Sequence, residues 1–143
     1  MFMGEYNHTI DAKGRLIVPA KFREQLGEQF ILAKGLDGCL AVYPTKEWES
    51  FLEKIQALPL VTNSKARSLT RQLSSGAMEC ELDKQGRVLV SQSLRAFANL
   101  EKEVVLAGNI NKIEIWNKQR WEEIGNVDMD ALADELSQMG VNL

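Results

Sequence analysis

The sequence predicts an α+β, β-rich chain built from two tandem copies of one small module, packed about a pseudo-two-fold axis. Three observations carry this. The chain repeats itself: Ile10-Asp11-Ala12-Lys13-Gly14-Arg15-Leu16-Ile17-Val18 aligns with Leu82-Asp83-Lys84-Gln85-Gly86-Arg87-Val88-Leu89-Val90. Register then holds downstream. Phe30-Ile31-Leu32-Ala33 matches Val104-Val105-Leu106-Ala107, Leu40 to Tyr43 matches Ile113 to Trp116, and Trp48 matches Trp121, all at offsets of 72 to 74 residues. Two copies are too few for a solenoid, and each half is too small to close a core alone.

Each half follows one plan. A strand (Tyr6 to Ile10, or Glu79 to Leu82) leads into Asp-x-x-Gly-Arg, and a second strand follows (Arg15 to Val18, or Arg87 to Val90). Aspartate can bond its own backbone two residues on, and glycine supplies the positive φ of a tight hairpin. A short helix comes next. In the first half Pro19 suits the first helical position, Phe22 and Leu26 share a face, and Gly27 suits the stop. In the second half Ser91 is the expected N-cap, and Leu94, Phe97 and Ala98 the buried side. Two β-rich runs then join through Gly35-Leu36-Asp37-Gly38 or Gly108-Asn109-Ile110-Asn111. Thr45 and Asn117 are expected to cap the closing helices, with Trp48, Phe51, Leu52, Ile55 and Leu58 inward in one, and Trp121 and Ile124 in the other.

The expected organisation is a first module over 1–58, a linking helical segment over 59–76, a second module over 77–124, and an amphipathic C-terminal helix over 125–143. Met129, Leu132, Ala133, Leu136 and Met139 form the apolar side of that last helix.

Composition excludes several classes. Of 143 residues, 45% are hydrophobic and 26% charged, as in an ordinary globular chain. No run approaches the roughly 18 apolar residues of a membrane helix. Glu5 stands where a signal peptide would be basic or apolar. Cys39 and Cys80, at or beside predicted strands, read as small buried hydrophobes in a cytoplasmic chain, with no CxxC and no metal site.

No catalytic constellation is legible, so no enzyme is expected, and no cofactor or small-molecule substrate. The one histidine, His8, lies between Asn7 and Thr9 in a predicted strand and reads as structural. GxxxxGK[ST], GxGxxG, HExxH and GxSxG are all missing.

Charge distribution is more informative than the net value of −3. Lys13, Arg15, Lys21 and Arg23 outnumber Asp11 in the first repeated window, and Lys84, Arg87 and Arg95 outnumber Asp83 in the second. Pro59 to Ala77 carries Lys65, Arg67 and Arg71 and no acid. The stretch from Asp128 carries Asp128, Asp130, Asp134 and Glu135 and no base. Affinity for phosphates depends on the face presented, not on the total.

The repeated Asp-x-x-x-Arg is the main candidate site. Asp11, Gly14, Asp83 and Gly86 read as turn-bracing residues. Lys13, Arg15, Lys84 and Arg87 read as DNA-binding residues, because arginine's planar fork suits phosphate oxygens and the guanine edge. A hairpin is thin enough to enter a major groove. Bracing of the turn alone is the plainer alternative for each Asp–Arg pair.

These residues also carry a resemblance. The opening Met1-Phe2-Met3-Gly4-Glu5-Tyr6, the run Asp11 to Pro19 with Phe22-Arg23, and Tyr43-Pro44 with Glu47-Trp48 resemble the MraZ family. So do Ser75-Gly76-Ala77 with Glu79-Cys80, Asp83 to Arg87, and Ile113 to Trp116, so the likeness spans nearly the whole chain. It implies an AbrB/MazE-like swapped-hairpin barrel with both halves in one chain. It implies a ring-shaped homo-oligomer that binds short direct repeats of double-stranded DNA, in the promoter of its own gene and the division and cell-wall cluster, and hence a cytoplasmic, nucleoid-associated regulator. The family's arginines fall on Arg15 and Arg87, with Lys13 and Lys84 beside them. The two loops differ at their second and third positions, Ala12-Lys13 against Lys84-Gln85. A ring aligns basic turns on one face, so avidity can offset a negative net charge. Head-to-tail neighbours also suit direct repeats. The alternatives are an oligomeric protein-interaction module that uses the stretch from Val127, and a small carboxylate enzyme.

Overall fold

The computed structural model describes Met1–Leu143. The first half runs β1 (Glu5–Thr9), β2 (Arg15–Ile17), α1 (Ala20–Leu26), β3 (Gln29–Lys34), β4 (Leu40–Pro44) and α2 (Thr45–Gln56). The linking helix α3 (Ser64–Ser75) follows. The second half repeats the order as β5 (Met78–Glu81), β6 (Arg87–Leu89), α4 (Gln92–Phe97), β7 (Glu103–Asn109), β8 (Lys112–Asn117) and α5 (Lys118–Ile124). Helix α6 (Met129–Gln138) ends the fold.

Six strands form one antiparallel sheet in the order β1-β7-β8-β4-β3-β5, and β2 pairs with β6 in a separate ribbon. Exchanging the two halves turns this order into its own reverse. Each half lends its first strand to the other: β1 pairs with β7, and β5 with β3. The pairing does not make the expected closed barrel. The six-stranded sheet is open, with β1 and β5 as unjoined edges. Strands β2 and β6 have three residues each, too few to serve as full staves. Apart from one bridge, Ile10 to Leu16, they pair only with each other.

The sheet is apolar on both faces, which is why β3, β4 and β7 read as nearly continuous hydrophobic runs. One face carries Phe30, Leu32, Leu40, Val42, Val104, Leu106, Ile113 and Ile115. These pack against Leu16 and Val88 of the ribbon, Phe22 and Leu26 of α1, and Leu94 of α4. Each such side chain, fully withdrawn from water, contributes roughly 1.5–3 kcal/mol. On the other face, Ile31, Ala33, Ala41 and Tyr43 sit under Trp48 of α2, and Val105, Ala107 and Trp116 sit under Trp121 and Ile124 of α5.

Helix ends follow local chemistry in most places. Asn63, Ser91, Asn117 and Asp128 each accept first-turn backbone N–H groups through their side chains. Gly27 ends α1 with φ of 80°. Four expectations differ. Pro19 sits just before α1 rather than in its first position, since its ψ of 141° is extended. Thr45 is already helical, and its hydroxyl donates to the Gln29 carbonyl instead of capping. Phe97 is exposed, because in so short a helix Leu94 and Ala98 fill the inner face, and its ring takes the Lys34 ammonium at 5.1 Å instead. Cys39 precedes β4 and is buried, whereas Cys80 lies within β5 and is half-buried. Helix α6 has the expected amphipathic pattern, but none of its residues is buried. No helix is long and apolar enough to cross a membrane.

Candidate nucleic-acid interface

The two Asp-x-x-x-Arg segments are three-residue hairpin loops, each a type I-like turn followed by a left-handed glycine. Gly14 has φ of 85° and Gly86 of 75°. The Gly14 N–H donates to the Asp11 carbonyl and the Asp11 N–H to the Arg15 carbonyl, both at 3.0 Å; Asp83, Gly86 and Arg87 repeat this at 3.0 and 2.9 Å. The aspartate side chain closes each loop. Asp11 Oδ1 accepts the N–H groups of Lys13 and Arg15 at 2.9 Å, and Asp83 Oδ1 accepts those of Gln85 and Arg87 at 2.9 Å. Oδ2 of each then takes the arginine Nε–H, at 2.7 Å for Arg15 and 2.8 Å for Arg87.

These bonds make the carboxyls easier to ionise. The backbone N–H of Arg15, followed by its guanidinium and the Lys13 N–H, holds Asp11 below its ordinary value of 3.8, against a smaller opposing push from burial. Asp83 is lowered by the same groups of its own turn, with the Arg87 N–H first.

The ribbon brings the two turns together. Arg15 lies opposite Leu89, and Ile17 opposite Arg87, so all four occupy one face while Leu16 and Val88 point into the core. Beyond the strands the pairing crosses between halves. The Gly14 carbonyl accepts the Val90 N–H at 2.8 Å, and the Gly86 carbonyl accepts the Val18 N–H at 3.0 Å. The turns are close enough that Arg87 Nη1 stands 3.9 Å from Asp11 Oδ2. Each arginine therefore spends its Nε–H on an aspartate and makes no hydrogen bond with its Nη groups. The outer face also shows Ile17 and Leu89, 44% and 59% exposed.

Two further cations join this surface, at residues the sequence placed in basic windows but not in the site. Arg23 of α1 lies against the turn of the other half: a Cβ on Gly86 would stand 2.8 Å from its Cζ. Arg95 of α4 does the same at Gly14, 3.2 Å from such a Cβ. Their spacing of 72 residues, the same as that of the turns, was the available signal. Lys13, Lys84, Arg23 and Arg95 take part in no ion pair, and Arg95 Nε is buried with no hydrogen-bond partner. Lys13 and Lys84 are exposed, at the third and second loop positions respectively.

Burial pushes the Cys39 thiol up to about 12, with help from nearby Glu114, and burial also raises Cys80. Neither is a ready thiolate. No three His, Cys, Asp or Glu side chains gather as a metal site. His8 is half-buried on β1, in a shallow depression with Glu103 and Lys118, and its side chain makes no hydrogen bond or ion pair.

A family model described as "MraZ protein, putative antitoxin-like" matches residues 1–71 and again 73–138, so each match holds one braced turn. The chain belongs to the MraZ family. It is 54% identical over 142 residues to "Transcriptional regulator MraZ" of Lachnoclostridium phytofermentans, covering 99% of both chains. It is 53% identical over 143 residues to the protein of the same name from Clostridium acetobutylicum, covering 99% of this chain and 100% of that one. For Clostridium tetani the identity is 50% over 143 residues, with the same coverage. These MraZ relatives carry the names of regulators and not of enzymes.

Proposed function

We propose that this chain is a sequence-specific, DNA-binding transcription regulator that reads double-stranded DNA with the outer face of the β2–β6 ribbon and its two turns. The observation that carries the reading is the pair of aspartate-braced arginines on one face, ringed by cations without carboxylate partners. The brace fixes each guanidinium plane while leaving its Nη–H donors available, which lowers the ordering cost of a bidentate contact. Exposed Ile17 and Leu89 beside them suit apolar contact with thymine methyl groups. Lys13, Lys84, Arg23 and Arg95 suit phosphates.

The finer reading extends this. The two halves, 1–58 and 77–124, act as a swapped-hairpin pair of AbrB-like modules. Several subunits assemble as a ring in the cytoplasm, associated with the nucleoid. The ring binds short direct repeats in the promoter of its own gene and of the division and cell-wall cluster. A chain with net charge −3 gains from assembly, because later modules bind at high effective concentration.

The test is a titration of that promoter and of unrelated DNA across a range of salt, with wild type, Arg15→Ala and Arg87→Ala. Wild type should prefer the promoter, with log K falling steeply against log salt. Losing a base-reading arginine should cost about 1–3 kcal/mol per site, from about fivefold to about 150-fold, with the fold intact. Wild-type affinity in both variants, or equal weak binding of wild type to the two DNAs, would sink the reading.

A further inference from the structure

Helix α6 has no seat in its own chain. Met129, Leu132, Leu136 and Met139 form one apolar stripe, and all four are exposed, Met129 by 80% and Met139 by 77%. At 100° per residue, Asp128 and Glu135 border the stripe on one side and Ala133 on the other, while Asp130 and Asp134 lie on the opposite face. The helix is capped by its own Asp128, so it is a formed element with a vacant face.

A complementary surface lies elsewhere on the molecule. Between α2, α3 and the outer face of β3, β4 and β8 is a cavity of about 300 Å³ with Tyr43, Phe51 and Leu73 among its apolar lining. Lys34, Lys54 and Lys112 stand around it. Two of these lysines are in no ion pair: Lys34 donates to the Gln72 side chain at 2.6 Å, and Lys112 lies 5.9 Å from the centre of the Tyr43 ring. The cavity also holds Glu47 and Glu114, the latter accepting the Trp116 indole N–H at 3.1 Å. Helix α3 gives the cavity Leu73, and along its length it carries Lys65, Arg67 and Arg71 with no acid.

We propose that α6 of one subunit docks on this groove of a second copy of the chain, its leucines filling the cavity and its acidic flank, Asp128 and Glu135, meeting the lysines. Size and charge both fit: the cavity takes side chains of one helical turn rather than a whole helix, and an acidic amphipathic helix meets a basic-rimmed apolar floor. The contact uses two different surfaces, so each subunit that gives its helix still has a free groove. Such a head-to-tail contact closes into a ring or runs on as a filament. The inference rests on the reading of the protein as a ring and names the contact that builds it.

Sedimentation of three proteins tests it: wild type, Leu132→Asp/Leu136→Asp, and Lys54→Glu/Lys112→Glu. The altered side chains are all outside the buried core, and circular dichroism checks the fold. Each double variant alone should fall to the mass of one chain. Mixed in equal amounts, the two should form a dimer and nothing larger, because one supplies an intact groove and the other an intact helix. An assembling wild type with an equally assembling helix variant overturns the α6 contact and leaves the ring reading standing. If only the groove variant still assembles, or the two monomers fail to complement, the groove assignment falls. A wild type that stays monomeric at every concentration removes the ring reading itself, and this contact with it.

Discussion

The turn at Asp11–Arg15 and the turn at Asp83–Arg87 share every backbone and side-chain hydrogen bond, yet they differ in what they present. Within each turn the aspartate, glycine and arginine positions repeat with bond lengths that agree within 0.1 Å, and the glycine carbonyl bonds to the other half agree within 0.2 Å. The two residues between them do not repeat: Ala12-Lys13 faces solvent in one, Lys84-Gln85 in the other. Their surroundings differ too. The Arg15 side chain is 34% exposed and that of Arg87 23%, and Arg87 alone leans toward both aspartates. The positions that hold the loop are constrained by its geometry, whereas the positions that only touch solvent are free to diverge. The turns are therefore equal as scaffolds and unequal as surfaces, and each part of that statement can be broken separately.

The largest effect is expected at the glycines. An L-residue in the left-handed region costs roughly 1–2 kcal/mol. A methyl at Gly14 would also press on the Val90 carbonyl at 2.9 Å, a backbone atom of the other half that cannot give way cheaply. At Gly86 the obstruction is the Arg23 guanidinium, the far end of a flexible side chain. Gly14→Ala should lose roughly 2–3 kcal/mol in urea unfolding and Gly86→Ala roughly 1–2 kcal/mol. Gly86→Ala should instead weaken DNA binding by displacing Arg23. Equal losses of stability would show that the packing difference between the two turns has no energetic weight.

The next effect is a pH dependence. Asp11 and Asp83 have folded pKa values below the ordinary 3.8, for which the arginine backbone N–H of each turn is the first cause. Such groups bind protons more readily in the unfolded chain, so the stability they add is complete at neutral pH. It is lost as pH falls below the unfolded value, from about pH 4 downward. Asp11→Asn should flatten the fall in Tm over that range more than Asp83→Asn, because only Asp11 has a second guanidinium, that of Arg87, within 4 Å. A steeper acid transition in either variant would contradict the bracing geometry.

Local chemistry explains which parts of this surface were legible in the sequence. The loops could be read because aspartate, glycine and arginine act within five residues of chain. The repeat offset located Leu16 and Val88 in the core and Ser91 and Asn117 at helix starts. The lapses lie where distant residues decide. Thr45 finds the Gln29 carbonyl across β3, so a residue of capping type does other work. Phe97 loses the inner face of α4 to Leu94 and Ala98, a competition set by how the helix lies on the sheet. Barrel closure depends on whether the edges β1 and β5 meet, which no local pattern encodes. Arg23 and Arg95 were visible as cations, but each acts on the other half's turn, and only the crossed ribbon brings them there.

The smallest effect should come from the divergent pair. Each loop carries one lysine at these positions, so Ala12→Lys with Lys13→Gln moves a cation by one residue and makes the first loop match the second. If these lysines serve phosphates, the number of neutralised phosphates is unchanged, and the slope of log K against log salt should stay the same. Affinity should shift only a few-fold. Lys13→Ala, which deletes the cation, should lower that slope by about 0.9 per bound turn. A swap that instead changes which sequence is preferred would mean that the middle positions contact base edges. The arginines would then supply a shared anchor, and the two halves would read different bases through the one feature in which their turns differ.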